Sequence, residues 1–319
     1  MKTIGIYHTK GGVGKSAATV FLADFLATLY HKRVLVVDLD PQNNASDGLV
    51  GEETLEKGFA SGRSLPKLLD PSKFPAPSKT DVEAFVIRRS EPRARGKTKY
   101  MASVSVLAGS REEWDRWVDW LHAIAKEVQP NYFNLLADCL KPLRADYDIC
   151  LIDFPGSESR TLAKMGMRAA GWWLLPDKPD WFSSGDLAVP VGVVHEAQKN
   201  SNHRIRPLGT LLNICPTRSN LSYRKARASL ERMTEEGGIP PLFDKDSEIL
   251  HRPDALNALD KNSSASATLI KRYGSTTSPF YTGLRNLAKE VLERLEEEHQ
   301  APHLSILARF RRRLADSWR

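Results

Sequence analysis

Short apolar runs alternate with stretches of helical periodicity along this chain of 319 residues. The apolar runs are rich in Val, Ile and Leu, as in strands that a parallel sheet buries on both faces. They cover residues 3–8, 34–38, 147–153, 171–176 and 207–214. The helical stretches cover residues 15–30, 111–144, 183–198 and 219–235. Strands that alternate with helices predict an α/β fold, with a doubly wound, mostly parallel sheet flanked by helices.

One segment interrupts this alternation. Residues 51–105 carry several Pro, Gly and Ser residues, and residues 88–99 are strongly basic. Apolar residues at 86–87 and 101–107 flank the basic run, which is typical of a hairpin. We therefore expect an insertion at about residues 51–105 that carries a mobile basic loop.

The C-terminal region splits into two helical patterns. Residues 283–298 predict a helix with an acidic end, and residues 303–319 predict a second, basic one. The second has an apolar stripe at Leu304, Leu307, Phe310, Leu314 and Trp318, beside Arg309, Arg311, Arg312 and Arg313. We expect a basic amphipathic helix within residues 299–319. Its apolar face would pack on the core or in a dimer, lie against DNA, or bind a membrane or another partner.

Composition narrows the class of protein. Hydrophobic residues make up 41% and charged residues 27% of the chain, as in soluble proteins with a real core. The net charge of +7 is compatible with a polyanionic partner. The three cysteines are far apart, so they indicate neither a disulfide framework nor a zinc site. The cysteines favour a reducing, cytosolic setting, so a cytoplasmic protein is expected. The sequence shows no signal peptide and no apolar run of bilayer length.

A glycine-rich turn stands between the first predicted strand and the first predicted helix. It reads Lys10-Gly11-Gly12-Val13-Gly14-Lys15-Ser16, and Ala17 follows it. Glycines let backbone N–H groups point at phosphate oxygens, and the helix N-terminus adds its dipole. In such loops the lysine reaches the β- and γ-phosphates and the hydroxyl binds Mg²⁺. Residues 10–17 therefore predict a nucleotide phosphate site, with Lys15 and Ser16 in those two roles.

Carboxylates follow two of the predicted strands. Asp38 and Asp40 lie on the same side at the end of the second strand, at the sheet edge where ligands bind in such folds. Asp153 ends the apolar run Ile149-Cys150-Leu151-Ile152, the form in which a carboxylate holds Mg²⁺ or its water. The alternatives are solvated carboxylates in a turn and a simple strand-end cap.

The loop departs from the usual phosphate-loop pattern in one informative way. Thr9 stands where that pattern has Gly, and Lys10 adds a second lysine. The loop resembles the deviant Walker A motif of the ParA/MinD superfamily, and Asp38-Leu39-Asp40-Pro41-Gln42 matches the second motif of the ParA family. The likeness covers roughly residues 1–50 and 145–298. It implies a P-loop ATPase domain over residues 1–298.

The resemblance implies roles for individual residues. Lys10 would cross a dimer interface to the partner's ATP, so a homodimer would form on ATP binding. Asp40 would orient or activate the attacking water, and Asp38 would support the Mg²⁺ region. Asn213 and Thr217 would lie near adenine, although an ordinary strand-end loop is the alternative. Gly156 departs from the family's usual Asp-x-Pro-Pro.

The resemblance also implies a cellular role. ParA-type ATPases bind non-specific DNA and position a plasmid, a chromosome or a protein cargo, and a ParB-like adaptor stimulates hydrolysis. The expected location is thus cytoplasmic and nucleoid-associated. A MinD-like membrane ATPase that uses residues 303–319 is the alternative. A redox member of the superfamily is disfavoured, since no Cys follows Asp153 before Cys215.

Three basic clusters compete for a DNA phosphate backbone. The first lies within residues 88–99 and begins with Arg88 and Arg89. The second is Arg218, Arg224, Lys225 and Arg227, and the third is Lys271 and Arg272 with Arg285 and Lys289 beyond. The family's placement of its DNA contacts toward the C-terminal part favours Lys271, Arg272 and Arg285. For each cluster a solvated surface is the alternative.

Overall fold

The computed structural model describes residues 1–70, 72, 76–89, 102–124, 130–156, 160–179, 187–201, 205–216, 219–251 and 268–297. Within them the strands are β1 (Lys2–Ile6), β2 (Val34–Asp38), β3 (Ile87–Arg88), β4 (Ser105–Leu107), β5 (Ile149–Asp153), β6 (Trp172–Asp177) and β7 (Arg206–Leu212). The helices are α1 (Lys15–Leu29), α2 (Asn44–Val50), α3 (Glu52–Ala60), α4 (Leu65–Leu68), α5 (Lys79–Phe85), α6 (Arg111–Ile124), α7 (Leu135–Leu140), α8 (Arg160–Ala169), α9 (Ala188–Ser201), α10 (Leu221–Glu235), α11 (Leu269–Tyr273) and α12 (Pro279–Glu296).

The described strands form one sheet in the order β3-β4-β2-β5-β1-β6-β7. Every neighbouring pair is parallel except β3 with β4. In the register, Asp153 lies beside Ile6 of β1 on one side and Asp38 of β2 on the other. The carboxyl ends of three adjacent strands therefore meet at one point, and the predicted doubly wound α/β fold is confirmed.

Alternate residues of the strands serve the two faces of the sheet. Ile4, Val36 and Leu151 belong to a core that includes α1 and α12, whereas Leu35 and Ile152 face a core on the other side. Side chains alternate between faces along a strand, so two apolar layers need strands that are apolar throughout. Most of α1, including all of residues 18–27, is buried, which holds in place the helix that follows the glycine-rich loop.

The predicted insertion is partly integrated into the fold. Residues 52–85 contain α3, α4 and α5, and β3 pairs antiparallel with β4, as the hairpin pattern predicted. However, β4 also pairs in parallel with β2, with Leu35 opposite Ser105. The end of the segment is therefore a strand of the main sheet. The basic residues beyond Arg89 lie outside the described residues.

Other boundaries differ locally from the sequence pattern. The helical stretch at 111–144 divides into α6, α7 and two short 3-10 turns. Helix α12 begins at Pro279, earlier than predicted, because Ser278 caps it by accepting a hydrogen bond from the Tyr281 N–H at 3.2 Å. The predicted helix at 299–319 lies outside the described residues. Within the described part of the chain, every helix is too short or too polar to cross a bilayer.

Candidate nucleotide-binding site

The loop between β1 and α1 takes the shape that its glycines predict. Gly12 and Gly14 have φ angles of 76° and 81°, in the left-handed region that side chains disfavour. Gly14 is the N-cap of α1, and its carbonyl accepts the Ala18 N–H at 2.9 Å. A Cβ atom on Gly11 or Gly12 would meet no described atom within 4 Å. The loop thus offers open backbone at a helix N-terminus, the geometry that binds phosphate.

Asn213, just after β7, holds this loop from below. Its Nδ2 donates to the carbonyls of Val13 and Gly14 at 3.1 and 3.0 Å. Its Oδ1 accepts the Ile214 N–H at 2.9 Å, and Ile214 has an unusual φ of 56°. The structure therefore places Asn213 against the phosphate loop, with its side-chain amide engaged by loop carbonyls, and its predicted position near adenine stays a prediction. Thr217, its predicted companion, lies outside the described residues.

The two lysines of the loop contact each other through the backbone. Lys15 is 7% exposed, and its Nζ donates to the Lys10 carbonyl at 3.2 Å. Burial lowers the pKa of Lys15, and the nearby carboxylates of Asp153 and Asp40 oppose that shift. The Lys10 N–H donates to His8 Nδ1 at 2.8 Å. An anionic phosphate would supply Lys15 with a charge partner inside the loop.

Asp38 and Asp153 are adjacent and fully buried. Asp38 Oδ2 accepts the hydroxyl and N–H of Ser46 at 2.7 and 2.9 Å, and Oδ1 accepts the Asp40 N–H at 3.0 Å. Burial raises the pKa of Asp38 to about 7, in spite of the Ser46 hydrogen bonds. Burial and the nearby Asp38 raise the pKa of Asp153 well above its ordinary value. The pair is therefore an electrostatically costly arrangement that a cation would relieve.

The surroundings of Asp153 suit a hard divalent cation. Its Oδ1 accepts the Thr19 hydroxyl at 3.2 Å, and the nearby Ser16 side chain acts to lower the pKa of the carboxyl group. Its Oδ2 is buried and accepts no hydrogen bond from any described residue. A buried carboxylate oxygen beside a serine hydroxyl, at the mouth of a phosphate loop, fits Mg²⁺, which prefers oxygen ligands and phosphate. Ser16, Asp38 and Asp153 therefore lie together, and their binding of Mg²⁺ stays a prediction.

Asp40 is held by its own loop. It accepts the Gln42 N–H at 2.9 Å, and its carbonyl accepts the Asn43 N–H at 2.9 Å. Asn43 has a left-handed φ of 54° and donates from Nδ2 to the Gly109 carbonyl at 2.9 Å. The motif that ended at Gln42 did not include Asn43 or Ser46. No pattern of apolar positions singles out Ser46, because Asn44, Asp47 and Gly48 lie around it in the sequence.

The predicted DNA contacts divide into exposed and buried residues. Arg88, Lys271 and Arg285 are exposed, whereas Arg89 and Arg272 are 3% and 6% exposed. Both buried guanidinium groups pair with Asp24 of α1. The prediction that Arg89 and Arg272 contact DNA is therefore corrected, because a side chain committed to a buried carboxylate presents no charge to solvent.

Comparison with known proteins finds a family model and relatives that match this chain. Residues 1–206 match the AAA_31 family model, described as an AAA domain. The chain is 26% identical over 298 residues to the chromosome-partitioning ATPase Soj of Thermus thermophilus, a match that covers 93% of this chain and 98% of Soj.

Two solved structures share the fold. The pNOB8 ParA bound to nonspecific DNA has a TM-score of 0.67 at 23% identity, over 93% of this chain and 99% of that one. Cobyrinic acid a,c-diamide synthase of Mycobacterium smegmatis, bound to an ATP analog and magnesium, has a TM-score of 0.59 at 19% identity, over 96% and 100%. At such identities these likenesses show the fold alone. Because the family model spans more than half of its length, the chain belongs to the AAA_31 family of AAA domains, within the ParA/MinD superfamily that its loop predicted.

Proposed function

We propose that this chain is a ParA-like ATPase that works as a dimerisation switch. ATP with Mg²⁺ closes a homodimer, the dimer binds non-specific DNA and positions or segregates a cargo, and hydrolysis resets it. The cargo is a plasmid, a chromosome or a protein assembly. One observation carries the proposal: a loop with two lysines opens onto a buried Asp153 oxygen beside Asp38. The Soj relative and the ATP-analog and DNA complexes of the fold neighbours support it.

The residues of the site divide the work of phosphoryl transfer. Backbone N–H groups of residues 11–16 bind the phosphates, and Lys15 shifts its ammonium from the Lys10 carbonyl to the β- and γ-phosphates. Ser16 and Asp153 would hold Mg²⁺, with Asp38 beside them. The bound cation supplies charge neutralisation on the phosphates. Asp40 orients the attacking water, from a loop that Asn43 ties to the neighbouring segment.

Lys10 accounts for the switch. Its side chain is the one loop cation whose predicted target is the partner's ATP, so each site is complete only in a dimer. Cleavage of the γ-phosphate removes that target, and the dimer loosens. A ParB-like adaptor that accelerates this step is part of the proposal.

Size-exclusion chromatography with light scattering, in ATP and Mg²⁺, tests the switch. Lys15→Ala abolishes nucleotide binding, because the buried cation is lost. Lys10→Ala keeps part of the binding but loses ATP-dependent dimerisation, and its hydrolysis falls to a slow residual rate. Asp40→Ala accumulates as an ATP-bound dimer, since the water is no longer activated. A monomeric Asp40→Ala protein that binds ATP normally would refute the proposed switch.

DNA binding has a separate test. Mobility shifts on a random-sequence duplex, with ATP, ADP or no nucleotide, are expected to show ATP-dependent binding that weakens steeply with salt. Such binding is what the proposed association with the cytoplasmic nucleoid requires. If DNA binding is equally strong with ATP, with ADP and without nucleotide, the proposed dependence of DNA binding on the ATP-bound dimer is contradicted.

The alternative is a MinD-like membrane ATPase, favoured by the basic amphipathic pattern of residues 303–319. It requires ATP-dependent co-sedimentation with anionic liposomes that is lost when residues 303–319 are deleted. If the full-length protein does not co-sediment with these liposomes, this alternative is eliminated.

A further inference from the structure

A buried histidine and carboxylate lie beneath the start of the phosphate loop. His8 follows β1 and Asp177 ends β6, with exposures of 0% and 1%. His8 Nδ1 accepts the Lys10 N–H at 2.8 Å, while its Nε2 is 3.9 Å from Asp177 Oδ1. The proposed mechanism assigns neither residue. They connect the end of β6 to the residue that opens the loop.

The Lys10 contact defines the tautomer of His8. A ring nitrogen that accepts a hydrogen bond carries no proton, so neutral His8 carries its proton on Nε2. That nitrogen is the one near the Asp177 carboxylate. A separation of 3.9 Å is too long for a hydrogen bond, but in a buried setting the carboxylate still favours the tautomer with N–H on its side. Asp177 thereby keeps Nδ1 available to Lys10.

Both polar groups of the Lys10 backbone are hydrogen-bonded. His8 accepts from its N–H, and Lys15 Nζ donates to its carbonyl at 3.2 Å. In the proposed function the Lys15 ammonium turns toward the phosphates, so its hold on the Lys10 carbonyl weakens when ATP binds. The His8 hydrogen bond holds the other peptide group of Lys10, the one that precedes it, through the Lys10 N–H. It therefore restrains Lys10 in the state in which Lys10 must act.

We propose that His8 is a positioning residue for Lys10, and that Asp177 orients His8. By fixing the Lys10 backbone, His8 keeps the side chain directed toward the partner's ATP. This role rests on the proposed function, in which Lys10 acts across the dimer. Neither His8 nor Asp177 contacts the reacting atoms.

Two substitutions of His8 separate its hydrogen bond from its volume. His8→Leu leaves the Lys10 N–H without its acceptor, whereas the Oδ1 of His8→Asn replaces Nδ1. Loss of one buried hydrogen bond is worth about 1–1.5 kcal/mol, or roughly tenfold in rate. We expect His8→Leu to lower kcat about tenfold with KM within about threefold, and His8→Asn to remain within about threefold of wild type. Asp177→Asn should lower kcat less than His8→Leu, since it removes only the preference of His8 for the tautomer with its proton on Nε2.

A double-mutant cycle distinguishes positioning from a general structural effect. Single-turnover ATP hydrolysis measures slow variants, so the cycle compares His8→Leu in wild-type and Lys10→Ala backgrounds. If His8 acts through Lys10, His8→Leu causes no further loss once the Lys10 side chain is absent. Additive losses, or equal losses in His8→Leu and His8→Asn, overturn the proposal. If His8→Leu melts below the assay temperature, the same cycle with Asp177→Asn decides between these outcomes.

The wild-type control keeps the two proposals apart. A wild-type protein that neither dimerises nor hydrolyses ATP refutes the proposed function. If the wild-type protein does both but the effects of His8→Leu and Lys10→Ala are additive, only the role of His8 is refuted.

Discussion

Removal of the Asp24 charge is expected to destabilise the protein strongly. Asp24 is fully buried on α1 and accepts a hydrogen bond from Arg89 Nη1 at 2.6 Å. It also pairs with Arg272 Nη1 at 3.3 Å and accepts the Tyr273 hydroxyl. Asp24→Asn preserves the size of the side chain but removes the carboxylate with which both buried guanidinium groups pair.

The contacts set the magnitude of the effect. Breaking a buried ion pair by removing one partner costs about 3–5 kcal/mol in the free energy of unfolding. The arginines keep backbone acceptors, since Arg89 donates to the Ala102 carbonyl at 2.6 Å and Arg272 to that of Gly48. These remaining bonds favour the lower end, about 3 kcal/mol.

Urea denaturation followed by circular dichroism at pH 7 measures this loss. Glu53→Gln is the matched control, because Glu53 pairs with Lys57 on the exposed face of α3 and both side chains are largely solvated. We expect no resolvable change from the control, since exposed ion pairs contribute little. A loss under about 1 kcal/mol for Asp24→Asn would refute the assignment of Asp24 as the centre of this cluster.

The pH dependence gives a second check on Asp24. Burial alone would raise the pKa of Asp24, but Arg89 and Arg272 together hold that pKa below its ordinary value. A carboxyl group whose pKa is lower in the folded state stabilises the fold above its unfolded pKa, about 3.9. That stabilisation is lost as the pH falls through the folded pKa. The stability difference between wild type and Asp24→Asn should therefore shrink below about pH 4.

Three further predictions concern the loop, its carboxylates and DNA. Gly14→Ala should lower Tm more than Gly12→Ala. Both substitutions strain a left-handed backbone, but only the Cβ atom at Gly14 would collide with the Asn213 amide. Equal shifts of Tm would contradict this prediction. Ser46→Ala should lower kcat about tenfold with unchanged folding, since it removes the hydroxyl that donates to Asp38. An unchanged kcat would show that the Ser46 N–H is a sufficient donor to Asp38. Lys271→Glu should weaken DNA binding in the ATP state and lower the salt slope by about 1–2, and an unaltered slope in mobility shifts would exclude this residue.

Local chemistry made the nucleotide site readable from the sequence. Lys10, Lys15 and Ser16 stand a few residues apart in one turn, so their spacing alone specifies a phosphate cradle at a helix N-terminus. Asp38 and Asp153 were predictable for a different reason. Parallel strands bring their carboxyl ends to one edge, so carboxylates that end two such strands converge.

The buried partners of the site were not predictable in the same way. Ser46 and Asn43 act through side-chain hydrogen bonds whose direction depends on how α2 packs. Asn213 was placed near the nucleotide by resemblance, but its hydrogen bonds to the Val13 and Gly14 carbonyls emerged only with the fold. Likewise, β4 joins the main sheet by pairing with β2, and a short apolar run does not show which strand it will pair with.

The sequence by itself determined the fold class and the chemistry of the loop, because strand and helix periodicity and a glycine-lysine turn are local properties. Only the tertiary structure decided which charges face solvent. Arg88 and Arg89 are neighbours of identical type, yet Arg88 is exposed and Arg89 bonds a carboxylate 65 residues away. Burial of a charge depends on whether a distant partner compensates its lost hydration, and that pairing exists only after the chain has folded.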